Sequence, residues 1–380
     1  MTDRIINSKE KVRIAYLVNQ FQTGGIKTLL MNYYRLVDRN KFGIDFIVCE
    51  DNLSTDDHSE IEALGGAVHV VKPVSNPALY VSSCVKVLKQ HEYHIAQACM
   101  NSLNVFSLIA AAIAKVPVRI SYNLSTSHPG EGKTVAKSLL RPFGNLFATD
   151  RAANSELAWE WLFGVNSRHE HTIIPNAIDV ATYHFDEKLR SQTRNQLGWI
   201  DSFVIGHVGR YEYQKNHVFL IDVFKEILGR EPKAKLALVG YGSLKDQVFA
   251  KIEELGIGDS VVDFGATEDL NGLYNAFDCF LLPSYYEGLP VVGIEAQATG
   301  CPCVFSSEIT RETKVLETSA FLNLSDPASE WAKTVLRFVD EPRADGSDKV
   351  TACGFEANSA AKTLEDYYLI QLRNAIRGEL

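Results

Sequence analysis

The sequence predicts an α/β protein of two doubly wound, Rossmann-like domains facing a central cleft, and three observations predict it. A chain of 380 residues is too long for one ordinary core and fits two. Short runs rich in β-branched and aromatic residues alternate with longer helical patterns, as a parallel sheet requires because each strand returns through a crossover helix. A polar stretch over 184–201, poor in apolar anchors, separates two such series.

The first series opens with a strand over 12–18, a turn at Thr23-Gly24-Gly25 and a helix carrying Leu29, Leu30, Tyr33 and Leu36. Strands follow at 46–49, 67–71, 95–99 and 118–122, helices at 78–89, 103–114 and 135–145, and the series closes near 150–154 and 172–174. The second series has strands at 203–208, 235–239, 261–264, 279–282 and 303–305. Its helices fit 218–228, 245–255, 270–275, 291–299 and 327–339. A last helical pattern on Ala360, Leu364, Tyr367, Leu369 and Leu372 has no strand to follow and is expected to dock at the interdomain seam. The expected domains are 1–184, with helix 358–380 packing back, and 185–357.

Hydrophobic residues at 46% and charged residues at 22% are the balance of a folded globular protein. The net charge of -9 excludes a general electrostatic grip on nucleic acid. The seven cysteines are scattered and read as reduced core thiols; Cys301 and Cys303 have no partners at metal-ligand spacing, so no metal is expected. Residues 1–11 lack the apolar core of a secretory signal, and the apolar run 105–114 is far short of a membrane span, so a cytoplasmic protein is expected.

Two segments carry chemistry. In Pro283-Ser284-Tyr285-Tyr286-Glu287-Gly288-Leu289-Pro290-Val291-Val292-Gly293-Ile294-Glu295 a strand runs into a loop and a helix start, with Pro290 suited to the first helical turn. Loop acid Glu287 and helix acid Glu295 can flank one small ligand, and N–H groups at the helix start can hold a phosphate, with Gly288 allowing close approach. Glu287 also reads as a surface acid, but Glu295 sits in an apolar stretch where a carboxylate needs a partner. In Gly209-Arg210-Tyr211-Glu212-Tyr213-Gln214-Lys215-Asn216 two cations bracket a strand-to-helix loop. Arg clamps a diphosphate bidentately and Lys adds a point charge, a pairing that stabilises a leaving diphosphate without a metal.

These segments resemble the EX7E and GR-xxxx-KN motifs of family 4 glycosyltransferases, which have the GT-B fold. Gly24-Gly25-Ile26-Lys27-Thr28, Asn154-Ser155-Glu156, Asn176-Ala177-Ile178-Asp179 and Val239-Gly240-Tyr241-Gly242 extend the likeness over nearly the whole chain, toward the capsule and exopolysaccharide branch. The resemblance implies a retaining, metal-independent hexosyltransferase that uses no cofactor. Its donor is a nucleotide-diphosphate sugar, most often UDP-linked. Its acceptor is a saccharide or lipid-linked saccharide in surface polysaccharide synthesis at the inner membrane face.

By that resemblance Arg210 and Lys215 contact the diphosphate, Glu295 the ribose, and Glu287 the transferred sugar near its reacting end. Leu289 and Val291 lend backbone N–H groups to phosphate, Gly24 and Gly25 face the donor from the first domain, and Asn176 and Asp179 are structural. The family's two first-domain histidines are absent: the matching stretches read Gln97-Ala98-Cys99-Met100 and Ser121-Tyr122-Asn123-Leu124. His128, Asn123 and Tyr122 are the candidates for that place. Lys133, Lys137, Leu139, Leu140 and Arg141 suit either contact with a bilayer or an amphipathic core helix, which is the preferred reading.

Three alternatives stand beside this reading. One is a catalytically weak, transferase-like protein that keeps the donor grip and regulates a partner. Another is an NAD(P)-dependent oxidoreductase, suggested by Gly240-Tyr241-Gly242 and Asp263 but lacking a third glycine at Lys245. The third is a hydrolase pairing Glu287 with Glu295.

Overall fold

A computed structural model of the chain describes residues 10–21, 25–50, 53–128, 138–165, 171–267 and 269–378. It divides into two compact units, Met1–Asn176 with Ala357–Leu380, and Ala177–Glu356.

The first unit carries β1 (Val12–Gln20), β2 (Phe42–Glu50), β3 (Val68–Val70), β4 (Ile95–Ala98), β5 (Val118–Asn123) and β6 (Asp150–Ala153) in the order β3-β2-β1-β4-β5-β6, every pairing parallel. Alternate residues of a strand face opposite sides of a sheet. Ala15, Leu17 and Ala96 pack with Tyr80 and Leu88 of helix Pro77–His91 and with Ala110 of helix Asn104–Ile113. Tyr16 and Gln97 face the other way and meet the C-terminal helix Ala357–Arg377: the Tyr368 hydroxyl lies 2.9 Å from that of Tyr16 and donates to Gln97 Oε1 at 2.8 Å.

The second unit carries β7 (Val204–Val208), β8 (Lys235–Val239), β9 (Val261–Asp263), β10 (Cys279–Leu282), β11 (Cys303–Ser306) and β12 (Ala320–Leu322) in the order β12-β11-β10-β7-β8-β9, again all parallel. Counted from its own first strand, each sheet has the doubly wound order 3-2-1-4-5-6. Strand order therefore reverses between β1 and β4 in one unit and between β7 and β10 in the other. Ligands of open α/β sheets bind at such a point, beyond the strand C-termini.

The structure departs from the sequence expectations at several places. The division falls at Asn176/Ala177 instead of 184/185, because Ile178, Val180 and Tyr183 pack with Leu289, Ile294 and Phe355 of the second unit. The polar stretch expected to link the domains contains a helix of the second unit, Glu187–Gln196. Its arginines point inward: Arg194 pairs with Asp278 at 2.9 Å, Arg190 pairs with the same carboxylate, and Asp278 Oδ2 accepts the Val204 N–H at 2.7 Å. A buried polar face of this kind leaves no apolar periodicity to read.

The strand expected at 172–174 is reduced to a single bridge between Ala153 and Ile173, and β12 is a short edge strand that was not expected. Of the helix expected over 135–145, residues 138–140 are helical and a 3-10 turn at Arg141–Phe143 follows; Lys133 and Lys137 lie outside the described residues. Six of the seven cysteines are buried as free thiols, and Cys353 is exposed.

Candidate active site

In the second unit both motifs leave the C-terminal ends of the strands that flank the switch point. β7 passes into Gly209 and Arg210, a 3-10 turn at Tyr213–Lys215 follows, and Asn216, at a left-handed φ of 53°, opens helix His217–Leu228. β10 passes through Glu287 into helix Val291–Ala298. Pro290 stands at the cap of that helix instead of inside its first turn and supplies no side-chain hydrogen bond.

The two loops are bound to each other. Lys215 Nζ donates to Glu287 Oε1 at 2.6 Å, and Gln214 Nε2 donates to Glu287 Oε2 at 2.9 Å and to the Tyr286 carbonyl at 3.0 Å. The Tyr285 N–H donates to the Gln214 carbonyl at 2.8 Å, and Asn216 Nδ2 to that of Pro283 at 3.1 Å. The rings of Tyr213 and Tyr285 stack at 4.6 Å and 14°. Glu287 is only 7% exposed, so its charge depends on these partners. A β-carbon at Gly209 would lie 3.0 Å from Lys215 Cδ and 3.1 Å from His207 Nε2, so the glycine leaves room for the lysine stem.

Arg210 differs from Lys215. It is exposed and its guanidinium makes no hydrogen bond or ion pair among the described residues, which leaves a cation at the strand end for an anion to meet.

Glu295 lies in the second turn of its helix, 5% exposed, and accepts from the Tyr274 hydroxyl at 2.8 Å. Burial pushes its carboxyl up to about 7, and the Tyr274 hydrogen bond pulls the other way. Near neutrality it is therefore a mixture of acid and carboxylate, and hydroxyls donating to it would favour the carboxylate. His207 and His217 are also buried here, and burial pushes their imidazoles down to about 4 and about 2. Both are neutral, with His207 Nδ1 2.8 Å from the Leu281 carbonyl oxygen.

In the first unit Gly24 lies outside the described residues, and Gly25 is the exposed first residue of helix Gly25–Leu36, after β1. Asn123 ends β5, where its Nδ2 donates to the carbonyls of Ala158 at 2.6 Å and Ser125 at 3.0 Å. That amide braces helix Glu156–Phe163, and its buried Oδ1 makes no hydrogen bond among the described residues. The Tyr122 hydroxyl donates to the Ile174 carbonyl at 2.7 Å. His128 is half-buried in the loop beyond β5.

Comparison with known proteins decides what such a chain is. A family model described as "Glycosyl transferases group 1" matches residues 190–345. EpsF of Bacillus subtilis (strain 168), named as a glycosyltransferase, is 32% identical over 342 residues, which are 87% of this chain and 88% of EpsF. The chain belongs to the group 1 glycosyl transferases.

An Escherichia coli galactosyltransferase that acts from UDP-Gal on α-D-GlcNAc-diphosphoundecaprenol is 24% identical over 325 residues, 79% of this chain and 81% of its own. Among solved structures, Anabaena Alr3699/HepE in complex with UDP-glucose superposes with a TM-score of 0.77 at 21% identity, covering 94% of this chain and 99% of that one. The fold is accordingly GT-B.

Membership of this family removes the oxidoreductase alternative, and the geometry gives the reason. Lys245, where a third glycine was needed, pairs with Asp263. The same carboxylate accepts from the Tyr211 hydroxyl at 3.1 Å and the Gly265 N–H at 3.0 Å, so the acid that would hold a ribose is already engaged. The glycines serve packing: at Gly240, φ +148°, a β-carbon would lie 2.1 Å from the Gly209 carbonyl oxygen.

Sequence reasoning missed Tyr274 and Gln214, the partners of Glu295 and Glu287. Gln214 stands beside Lys215 and could have been included with it. Tyr274 belongs to helix Leu270–Ala276, 21 residues before Glu295, and no spacing rule links the two.

Proposed function

We propose that this glycosyltransferase moves a sugar, with retention of configuration, from a UDP-linked donor to a saccharide or lipid-linked saccharide in surface polysaccharide synthesis. The observation that carries the proposal is the pairing of an engaged Lys215 with an unengaged Arg210 at the switch point of the second unit. Arg210 would take the donor diphosphate bidentately. Lys215, with three N–H donors, can keep Glu287 and still reach a phosphate oxygen.

Together the cations would offset the charge on the leaving diphosphate, so the reaction needs no metal and no cofactor. Backbone N–H groups of Gly288, Leu289 and Val291 would add to that grip, and Gly24 and Gly25 would face the donor. Glu295 would accept from the ribose hydroxyls, and Glu287 would meet the transferred sugar. The donor phosphate can itself take the acceptor proton, which fits a chain without the family's histidines; His128 and Asn123 then help to hold hydroxyls. The Escherichia coli galactosyltransferase, named for UDP-Gal and a diphosphoundecaprenol-linked sugar, supports the donor and acceptor classes.

Contact with the inner face of the membrane is part of the proposal. Leu139, Phe143, Leu146 and Phe147 are 69%, 51%, 62% and 39% exposed, with Arg141 among them, which an amphipathic core helix would not show. Apolar side chains interleaved with a cation suit a headgroup boundary. No helix among the described residues is long and apolar enough to cross a membrane, so such contact would be peripheral.

The test is a thermal-shift panel of nucleotide sugars and NADH in EDTA. A UDP-sugar should raise the melting temperature and NADH should not; stabilisation by no nucleotide sugar overturns the proposal.

A further inference from the structure

Three side chains on separate elements of the first unit converge away from the strand C-termini. Asp45 is on β2, His69 on the neighbouring β3, and His91 ends helix Pro77–His91, which leads into the start of β4. One ligand atom from each lies within 4.8 Å of the other two. The imidazole rings of His69 and His91 are 4.4 Å apart at 43°.

The local hydrogen bonding is complete on one side of this cluster and missing on the other. The Asp45 carboxylate is oriented from behind: Oδ1 accepts the Ala67 N–H at 2.9 Å and Oδ2 the Tyr93 hydroxyl at 2.6 Å. His69 Nε2 lies 3.7 Å from Asp45 Oδ2, beyond hydrogen-bond range, and is a buried nitrogen with no hydrogen-bond partner among the described residues. Leaving such an atom unsatisfied is costly, and a group seated between the three ligand atoms would satisfy it.

We propose that Asp45, His69 and His91 bind a divalent transition-metal ion of the zinc class. Two imidazoles and a carboxylate are ligands that zinc accepts, and with three protein ligands a fourth position remains for water. Tyr93 and the Ala67 N–H supply the outer hydrogen bonds that fix a ligating carboxylate. The site lies toward the strand starts, at the opposite end of the sheet from the loop after β1. Its role is to clamp β2, β3 and the helix together, and it takes no part in sugar transfer. Hence chelation should lower stability and leave donor binding unchanged. Sequence spacing could not show the site, because its ligands come from three separate elements.

The test uses the full, untagged chain stripped with EDTA and dialysed, then titrated with zinc by calorimetry and with cobalt(II) by visible absorption. One stoichiometric site is expected, with a low-symmetry cobalt d–d band and a melting temperature raised by roughly 5 °C at a hundredfold excess over Kd. His69→Ala and His91→Ala should each abolish the site while keeping a wild-type circular dichroism spectrum. Cys353→Ser, which removes the exposed thiol, should keep it. Absence of stoichiometric binding to the wild-type chain overturns the proposal, as does undiminished binding by either histidine variant or loss of binding in Cys353→Ser. No nucleotide sugar is present, so failure here leaves the transferase proposal standing.

Discussion

Lys215 Nζ and Glu287 Oε1 lie 2.6 Å apart although 72 positions separate them in the chain, and their pairing joins the loop after β7 to the loop after β10. The resemblance had placed the two residues at different parts of a donor, the lysine at the diphosphate and the glutamate at the sugar. In the structure each is the other's counter-charge.

Removing one member should therefore harm folding as well as chemistry. Lys215→Met takes the cation away from a nearly buried carboxylate, at a cost of about 3 kcal/mol to the second unit. Glu287→Gln keeps an acceptor for the lysine and should cost less. Urea denaturation of both variants beside the wild type checks the order, and midpoints equal to the wild type's would show that the pair contributes nothing to stability.

Much of this was legible in the sequence. The alternation of strand and helix gave two parallel sheets; Arg210, Lys215 and Glu287 fell on loops that do leave a switch point, and Glu295 on the helix that follows one of them. What could not be read were partners brought together by tertiary folding. Tyr274 reaches Glu295 from another helix, and Asp278 collects two arginines from a stretch whose polarity resembled a linker. The exposed residues near Leu146 show the converse: apolar side chains alone do not say whether a segment is buried.

Glu295 makes stability depend on pH. Its folded-state carboxyl is raised to about 7 by burial, above the 4.5 of the unfolded chain. Between those values the native state holds a proton that the unfolded state has lost. Stability should therefore fall as pH rises from 4.5 toward 7 and level off above, by up to about 3 kcal/mol. Glu295→Gln should flatten that slope, as measured by denaturation midpoints across the range.

Donor affinity should move the opposite way. Ribose hydroxyls donate to the carboxylate form, and a UDP-sugar diphosphate does not itself ionise near neutrality. Calorimetric affinity should rise between pH 6 and pH 8 in the wild type and stay level in Glu295→Gln.

Arg210→Ala should lower turnover by roughly a hundredfold or more with little change in melting temperature, because the guanidinium has no partner to lose among the described residues. A hydrolase built on Glu287 and Glu295 would be indifferent to this change. Steady-state assay beside thermal denaturation separates the two.

Tyr368→Phe removes the hydroxyl that joins the C-terminal helix to Tyr16 and Gln97 and leaves Gln97 Oε1 buried without that donor. A loss of about 1–3 kcal/mol in the first unit is expected, with donor affinity unchanged.

Replacing both Phe143 and Leu146 with Asp should leave folding intact, since both are exposed, and should reduce co-sedimentation with anionic vesicles. Undiminished sedimentation would remove the membrane contact.

The most direct test of the donor grip is calorimetric titration of a panel of UDP-sugars, in EDTA, into the wild-type chain and an Arg210→Ala, Glu295→Gln double variant. At least one UDP-sugar should bind the wild type, and the double variant should bind it at least about a hundredfold more weakly. Binding of none of the panel, or equal binding by both proteins, would contradict the account.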